Sequence, residues 1–172
     1  EQGPTSLLAK LLWIKKHQPE IFSKTDCLLP GASDYVVFRM TGEKATDTTT
    51  ASTTGLMELV ERKWIDDALF NKMGLQGVQT LLPKLFDGGA KIGQLQKKAA
   101  TDLGIPAGLP VFLGPGDAGS ATIGAGCGVP GKAYAYIGTS GWVAFAEKQP
   151  ADPTTGGITL SHPKCDHFIQ VA

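Results

Sequence analysis

Apolar residues recur at helical spacing near the start of the chain. Leu7, Leu8, Leu11, Leu12 and Ile14 are interleaved with Lys10, Lys15 and Lys16. This predicts an amphipathic helix over 6–17 that Pro19 keeps from running much further. A second helix is expected over 34–40, capped by Ser33 and stopped at Thr41-Gly42. The Thr/Ser/Ala stretch at 46–54 has no apolar period and reads as a loop, with Thr46-Asp47 as a structural anchor. Residues 55–60 read as extended. A third helix is expected over 65–73, with Asp66 and Asp67 in its first turn and Gly74 just past its end. A strand at 91–95 and a short helix at 96–103, stopped by Gly104, follow.

The second half changes character, because most of the 22 glycines lie there. Residues 109–113 form a short apolar run of buried-strand type. Gly114-Pro115-Gly116-Asp117 is a sharp turn, and 118–125 is a helix of small residues. A glycine-rich break at 126–131 precedes two strands, 132–137 and 142–146, joined by Gly138-Thr139-Ser140-Gly141. A loop at 152–157 and a strand at 168–172 close the pattern, the latter expected to lack later strands to complete its sheet.

With 172 residues and 42% hydrophobic content, the chain can bury one core, or parts of two. Its 16 basic and 16 acidic residues cancel, and no long basic run is present, which argues against a nucleic-acid partner. No apolar run approaches the ~20 residues that span a bilayer, so no membrane partner is expected. Cys27, Cys127 and Cys165 are odd in number and widely spaced, which argues against a disulfide framework and for a cytoplasmic setting. The first ten residues lack the layout of a signal peptide and an initiator Met, so a processed or excised chain is expected.

Three patterns compete for the chemistry. Gly114-Pro115-Gly116-Asp117-Ala118-Gly119 spells G-x-G-x-x-G, but the acidic residue that a dinucleotide site needs about 20 positions on is replaced by Ile137, Gly138 and Thr139. Gly126-Cys127-Gly128-Val129-Pro130-Gly131-Lys132-Ala133 approaches a phosphate-binding loop. Ala133 supplies no hydroxyl for Mg²⁺, however, and a strand pattern follows where a helix is required. The third pattern centres on Asp117, a carboxylate presented at a strand-to-helix turn between glycines. It could take the proton of an alcohol that attacks ATP, with the small hydroxyl-bearing turn at 138–141 holding phosphate. It could equally do no more than cap the following helix. His162, Cys165 and His167 form H-x-x-C-x-H. A zinc site there would need a fourth ligand or a water, so no metal site is assigned and ordinary surface is the preferred reading.

The order and spacing of several segments resemble the FGGY carbohydrate kinases. These are Lys10-Leu11-Leu12-Trp13 with Pro19-Glu20, and Asp34-Tyr35 with Thr41-Gly42, Thr46-Asp47 and Ala51-Ser52. They continue through 110–118, Gly124-Ala125-Gly126, Pro130-Gly131 and Gly138-Thr139-Ser140. The resemblance implies an α/β, actin-like ATPase (ribonuclease H-like) fold, present in part. Residues 1–129 would be the C-terminal part of the first domain, and 130–172 the start of the second. It implies ATP and Mg²⁺ as cofactors and a small-molecule sugar as substrate, with a pentulose such as xylulose favoured. Asp117 would be the catalytic base, and Gly138, Thr139 and Ser140 would contact the ATP phosphates. Asp117, Ala118 and Trp142 would meet the sugar, although a core position is the preferred reading of Trp142. Ala118 is small where several relatives carry an amide, which leaves the sugar open. A homodimer is left open as the assembly. The family's Asp-x-Gly-Thr strand turn and its adenosine-binding glycine segment are not found, so the isolated chain is expected to be inactive. The alternative is a non-catalytic fragment or binding module that keeps the fold without a complete ATP site.

Overall fold

The computed structural model describes residues 6–139, 141–152, 154, 156–164 and 166–172. Helix α1 (Leu7–His17) begins where Ser6 Oγ accepts a hydrogen bond from the Ala9 N–H, and Pro19 starts the separate helix α2 (Pro19–Ser23). Helix α3 (Ala32–Thr41) follows and ends at Gly42, whose φ of 81° only glycine adopts readily. Its cap is Gly31 and not Ser33, because the Asp34 carboxylate reaches back 2.8 Å to accept from the Gly31 N–H.

The Thr-rich stretch expected to be a loop is a strand and a helix, β1 (Ala45–Asp47) and α4 (Thr48–Ser52), and most of it is buried. The side chains are small enough to pack tightly, and the hydroxyls towards the end of the stretch are satisfied locally. Ser52, Thr53 and Thr54 each donate to the carbonyl three residues back. Asp47 caps α4 by accepting from the Thr50 N–H.

A two-residue hairpin, β2 (Met57–Glu58) and β3 (Lys63–Trp64), leads to α5 (Asp67–Lys72) and a 3-10 turn (Val78–Leu81). These elements and α1 enclose the first core, where Leu11, Leu56, Phe70, Leu75 and Val78 are fully buried. Strand β4 (Lys84–Phe86) pairs in parallel with β1, Thr46 opposite Leu85. Strand β5 (Lys91–Gln94), helix α6 (Lys97–Leu103) and strand β6 (Pro110–Phe112) come next, with β5 and β6 antiparallel around an irregularity between Lys91 and Gly93. The buried-strand expectation for 109–113 fails except at its end. Leu113 is fully buried, whereas Leu109 and Phe112 are exposed, because among the described residues β5 and β6 make a two-stranded sheet, too narrow to enclose a strand as an inner one. Leu113, Val37 and Ala45 form a second small core.

Helix α7 (Gly116–Gly124) leads through the glycine-rich break to β7 (Ala133–Ile137), β8 (Gly141–Glu147), β9 (Ile158–Ser161) and β10 (Phe168–Val171). These four strands form one antiparallel sheet in the order β7-β8-β10-β9. The expected unfinished strand at 168–172 is therefore an inner strand. Ile169 lies opposite Ala146 on one side and Leu160 on the other. The sheet's core of Ala144, Leu160 and Ile169 packs on Ala118 of α7.

Polar ties fasten the sheet to the earlier elements. The Ser161 N–H donates to Ser52 Oγ at 3.0 Å. Arg62, a non-glycine residue at φ 49°, donates through Nη2 to the carbonyls of Lys164 and His167, each at 3.0 Å. Its Nη1 meets Asp87 at 3.3 Å.

Candidate active site

Strand β6 ends at Phe112, the buried Leu113 follows, and the chain turns through Gly114-Pro115-Gly116 into α7. Gly116 has φ 59°, and a Cβ there would stand 2.8 Å from Thr50 Oγ1, so both conformation and space require glycine. Asp117 follows in the first turn of α7, exposed, with Oδ1 accepting from the Ala118 N–H at 2.7 Å. The residue before the helix is Pro115, which makes no side-chain capping bond. Asp117 therefore stands one step inside the helix instead of capping it.

The Asp117 carboxylate opens onto a cleft of about 440 Å³. Its walls come from three places: Gly31, Ala32 and Ser33 ahead of and within α3, Thr49, Thr50 and Thr53 at α4, and Gly114, Gly116, Ala118 and Ser120 beside Asp117 around the α7 turn. Small and hydroxyl-bearing side chains dominate, which suits a polar ligand rich in hydroxyl groups. The α3 and α4 walls escaped the sequence reading. The one available signal was Asp47-x-x-Thr50, an N-cap pattern that marks a helix start within the supposed loop.

Beneath the cleft lies a buried acidic pair, Asp34 and Asp47, both fully shielded from solvent. Burial pushes the Asp34 carboxyl above its ordinary range, and the charge of Asp47 adds to that. The Thr46 hydroxyl and the Gly31 amide pull the other way.

The remaining sequence-predicted residues divide between this cleft and the β7–β8 turn. Ala118 lines the cleft and also packs on the β-sheet core. Gly138 and Thr139 are exposed at the turn between β7 and β8, and Ser140 lies outside the described residues. The Tyr136 ring covers Gly138 so closely that a Cβ there would be 2.7 Å from the Tyr136 hydroxyl. Trp142 stacks on Tyr136 with centroids 5.0 Å apart and meets Tyr134 edge-on at 5.3 Å. Neither Trp142 nor the Gly138 turn lines the Asp117 cleft. The Gly126 to Lys132 segment is followed by β7 and not by a helix, so it lacks the helix N-terminus that a phosphate-binding loop uses.

His162 and His167 are buried, against the surface expectation, with ring centroids 5.6 Å apart. His162 Nδ1 accepts from the Lys164 N–H at 2.9 Å, and His167 Nδ1 pairs with Asp166 Oδ1 at 2.6 Å. Cys165 lies outside the described residues. Among the described residues no group of three or more His, Cys, Asp or Glu side chains is placed to hold a metal ion.

Residues 3–124 match the family model of the FGGY family of carbohydrate kinases, N-terminal domain. The chain belongs to the FGGY carbohydrate kinases. It is 34% identical over 163 residues to a xylulose kinase of Bacillus subtilis, covering 94% of this chain and 32% of that protein. It is 33% identical over 134 residues to an autoinducer-2 kinase of Salmonella paratyphi B, covering 78% of this chain and 24% of that protein. Among solved structures it superposes on a ligand-bound xylulose kinase from Lactobacillus acidophilus with a TM-score of 0.85 at 29% identity, covering 98% of this chain and 34% of that one. This FGGY chain thus spans about a third of the length of the relatives it matches, and its fold is part of the actin-like ATPase fold of those kinases. No helix among the described residues is long and apolar enough to cross a membrane.

Proposed function

We propose that the full-length protein carrying this chain transfers the γ-phosphoryl group of Mg-ATP to a hydroxyl of a small sugar or polyol, with Asp117 as general base. One observation carries the reading. Asp117 is an exposed carboxylate at the mouth of a hydroxyl-lined cleft, in a chain of the FGGY family. Phosphoryl transfer leaves little covalent work to the protein beyond positioning, charge stabilisation and removal of one proton. Asp117 would accept the proton of the attacking hydroxyl, and domain closure would exclude water. The exposed Gly138-Thr139 turn offers backbone amides and a hydroxyl to the phosphates.

Mg²⁺ arrives with the nucleotide, keeps several waters and needs only one or two carboxylates. Its chemistry is to neutralise phosphate charge. No residue of this chain is assigned to it, since the described residues offer no ready cluster. A pentulose such as xylulose is the favoured acceptor, in keeping with the xylulose kinases among the relatives. The autoinducer-2 kinase among them shows that the family varies its acceptor. The domain boundary is placed at 129/130, supported by the family match ending at residue 124 and the four-stranded sheet beginning at Ala133.

The test is Asp117→Asn in the full-length protein, assayed for turnover on D-xylulose, gluconate and glycerol and for sugar binding by calorimetry. The amide keeps the size and loses the basicity. A fall in kcat of ~10²–10⁴-fold with sugar affinity retained is expected. Turnover near that of the unaltered protein would refute the assignment.

A further inference from the structure

Asp47 is fully buried, yet its two oxygens do different things. Oδ1 accepts from the Thr50 N–H at 3.0 Å, which is all that capping α4 requires. Oδ2 accepts from the Thr50 hydroxyl, a bond that the cap does not need. That bond fixes the rotamer of Thr50 at the bottom of the cleft.

Thr50 so held presents two different surfaces to two glycines. Its methyl lies 2.9 Å from where a Cβ of Gly31 would be, and its hydroxyl lies 2.8 Å from where a Cβ of Gly116 would be. Asp47 Oδ2 itself comes within 4.0 Å of that same Gly116 position. Gly116 is the left-handed residue that turns the chain into α7 and sets where Asp117 emerges. Thr50 lines the cleft beside Asp117.

We propose that Asp47, acting through the hydroxyl of Thr50, is a positioning residue for the Asp117 carboxylate. The pair forms a rigid abutment for the Gly116 turn, so that Asp117 meets the attacking hydroxyl at a fixed distance. The inference rests on the reading of Asp117 as the base. Reacting groups displaced by about 1 Å can lose on the order of 10²-fold in rate without losing ground-state binding. The signature of a positioning role is therefore a loss in kcat that KM does not share.

The experiment compares Thr50→Val, Thr50→Ser, Asp47→Ser and Asp117→Asn in the full-length protein. The acceptor is whichever of D-xylulose, gluconate and glycerol the unaltered protein phosphorylates fastest. Thr50→Val keeps the shape and deletes the hydroxyl. It should lower kcat by ~10–10²-fold, leave KM for the acceptor within about threefold, and retain a cooperative thermal transition. Thr50→Ser keeps the hydroxyl and should recover most of the rate. Asp47→Ser keeps one capping oxygen for the Thr50 N–H and has no second polar atom to hold the hydroxyl, so it should repeat the Thr50→Val pattern, which provides a second route if Thr50→Val does not fold. Wild-type kcat in Thr50→Val or in Asp47→Ser would overturn the proposal. So would an equal loss in Thr50→Ser, which would trace the effect to the methyl against Gly31. Asp117→Asn separates the two readings. If it retains turnover, the base assignment itself fails. If it collapses while Thr50→Val does not, only the positioning role fails.

Discussion

Gly116→Ala is expected to destabilise the protein through two separable terms. The first is conformational. At φ 59° an L-residue meets its own carbonyl, at a cost of about 1–2 kcal/mol. The second is crowding. The new methyl would lie 2.8 Å from Thr50 Oγ1, where ordinary contact begins at 3.4 Å. Thr50 cannot swing away without giving up its bond to buried Asp47. Overpacking of this kind costs about 1–3 kcal/mol. Gly126→Ala supplies the control, because Gly126 has a similar φ of 72° with nothing within 4 Å of its Cβ position. It should show the conformational term alone. Urea unfolding at unchanged m-value should therefore separate the two variants by about 1–3 kcal/mol, a midpoint difference on the order of 1 M. Equal costs for Gly116→Ala and Gly126→Ala would refute the crowding, and with it the contact between Thr50 and the α7 turn.

Arg62→Ala should cost about 2–4 kcal/mol, because it removes the Nη2 bonds to the carbonyls of Lys164 and His167 from a side chain that is mostly buried. Arg62→Lys should recover little of that, since an ammonium cannot reproduce the fork, and thermal unfolding of both variants checks it. His162 carries a second expectation. Burial first, then the neighbouring His167 charge and after it Arg62, depress its basicity below the ordinary 6.5, while Asp166 opposes them. The native state thus binds fewer protons here than the unfolded state. This part of the stability is present above the unfolded value and is lost as pH falls from there through the depressed native one. His162→Asn, which keeps an acceptor for the Lys164 N–H, should flatten the pH dependence of urea midpoints below about pH 6.5. An unchanged slope would show that the His162 ring does not control it.

The elements built on clear period or punctuation were legible in the sequence. Leu7 to Ile14 announced α1, Asp66 and Gly74 bracketed α5, Gly104 stopped α6, and the alternation around Gly138-Thr139 announced the β7–β8 hairpin. The position of Asp117 at a strand-to-helix turn was legible too, because glycine and proline mark such turns by local sterics alone. The 46–54 segment was not. Threonine carries no helical or strand period, and the burial of Thr46, Thr48 and Thr49 comes from neighbours distant in sequence. The half of the cleft formed by Ser33 and Thr50 was hidden for the same reason. The segments around Ser33, Thr50 and Asp117 meet through the packing of α3 on β1 and β6 and of α4 on β1 and α7, which no local pattern encodes. Burial of His162 and His167 likewise depends on the sheet docking through Ser52 and Arg62.

The strand order β7-β8-β10-β9 also fixes an order of events during synthesis. Strands β7 and β8 meet across a short turn, so that hairpin can form as soon as residues around Glu147 are available. Strand β9 has no such partner waiting. Among the described residues its ladder is to β10 alone, ten residues further on, and β10 in turn links it to β8. From the completion of Ser161 until Val171 is made, β9 must remain unpaired with its hydrogen-bonding edge open. The sheet then closes as a hairpin docking on a hairpin, in one late and non-local step. Delay at that step leaves open strand edges, the condition under which a nascent chain is most prone to associate with another copy of itself.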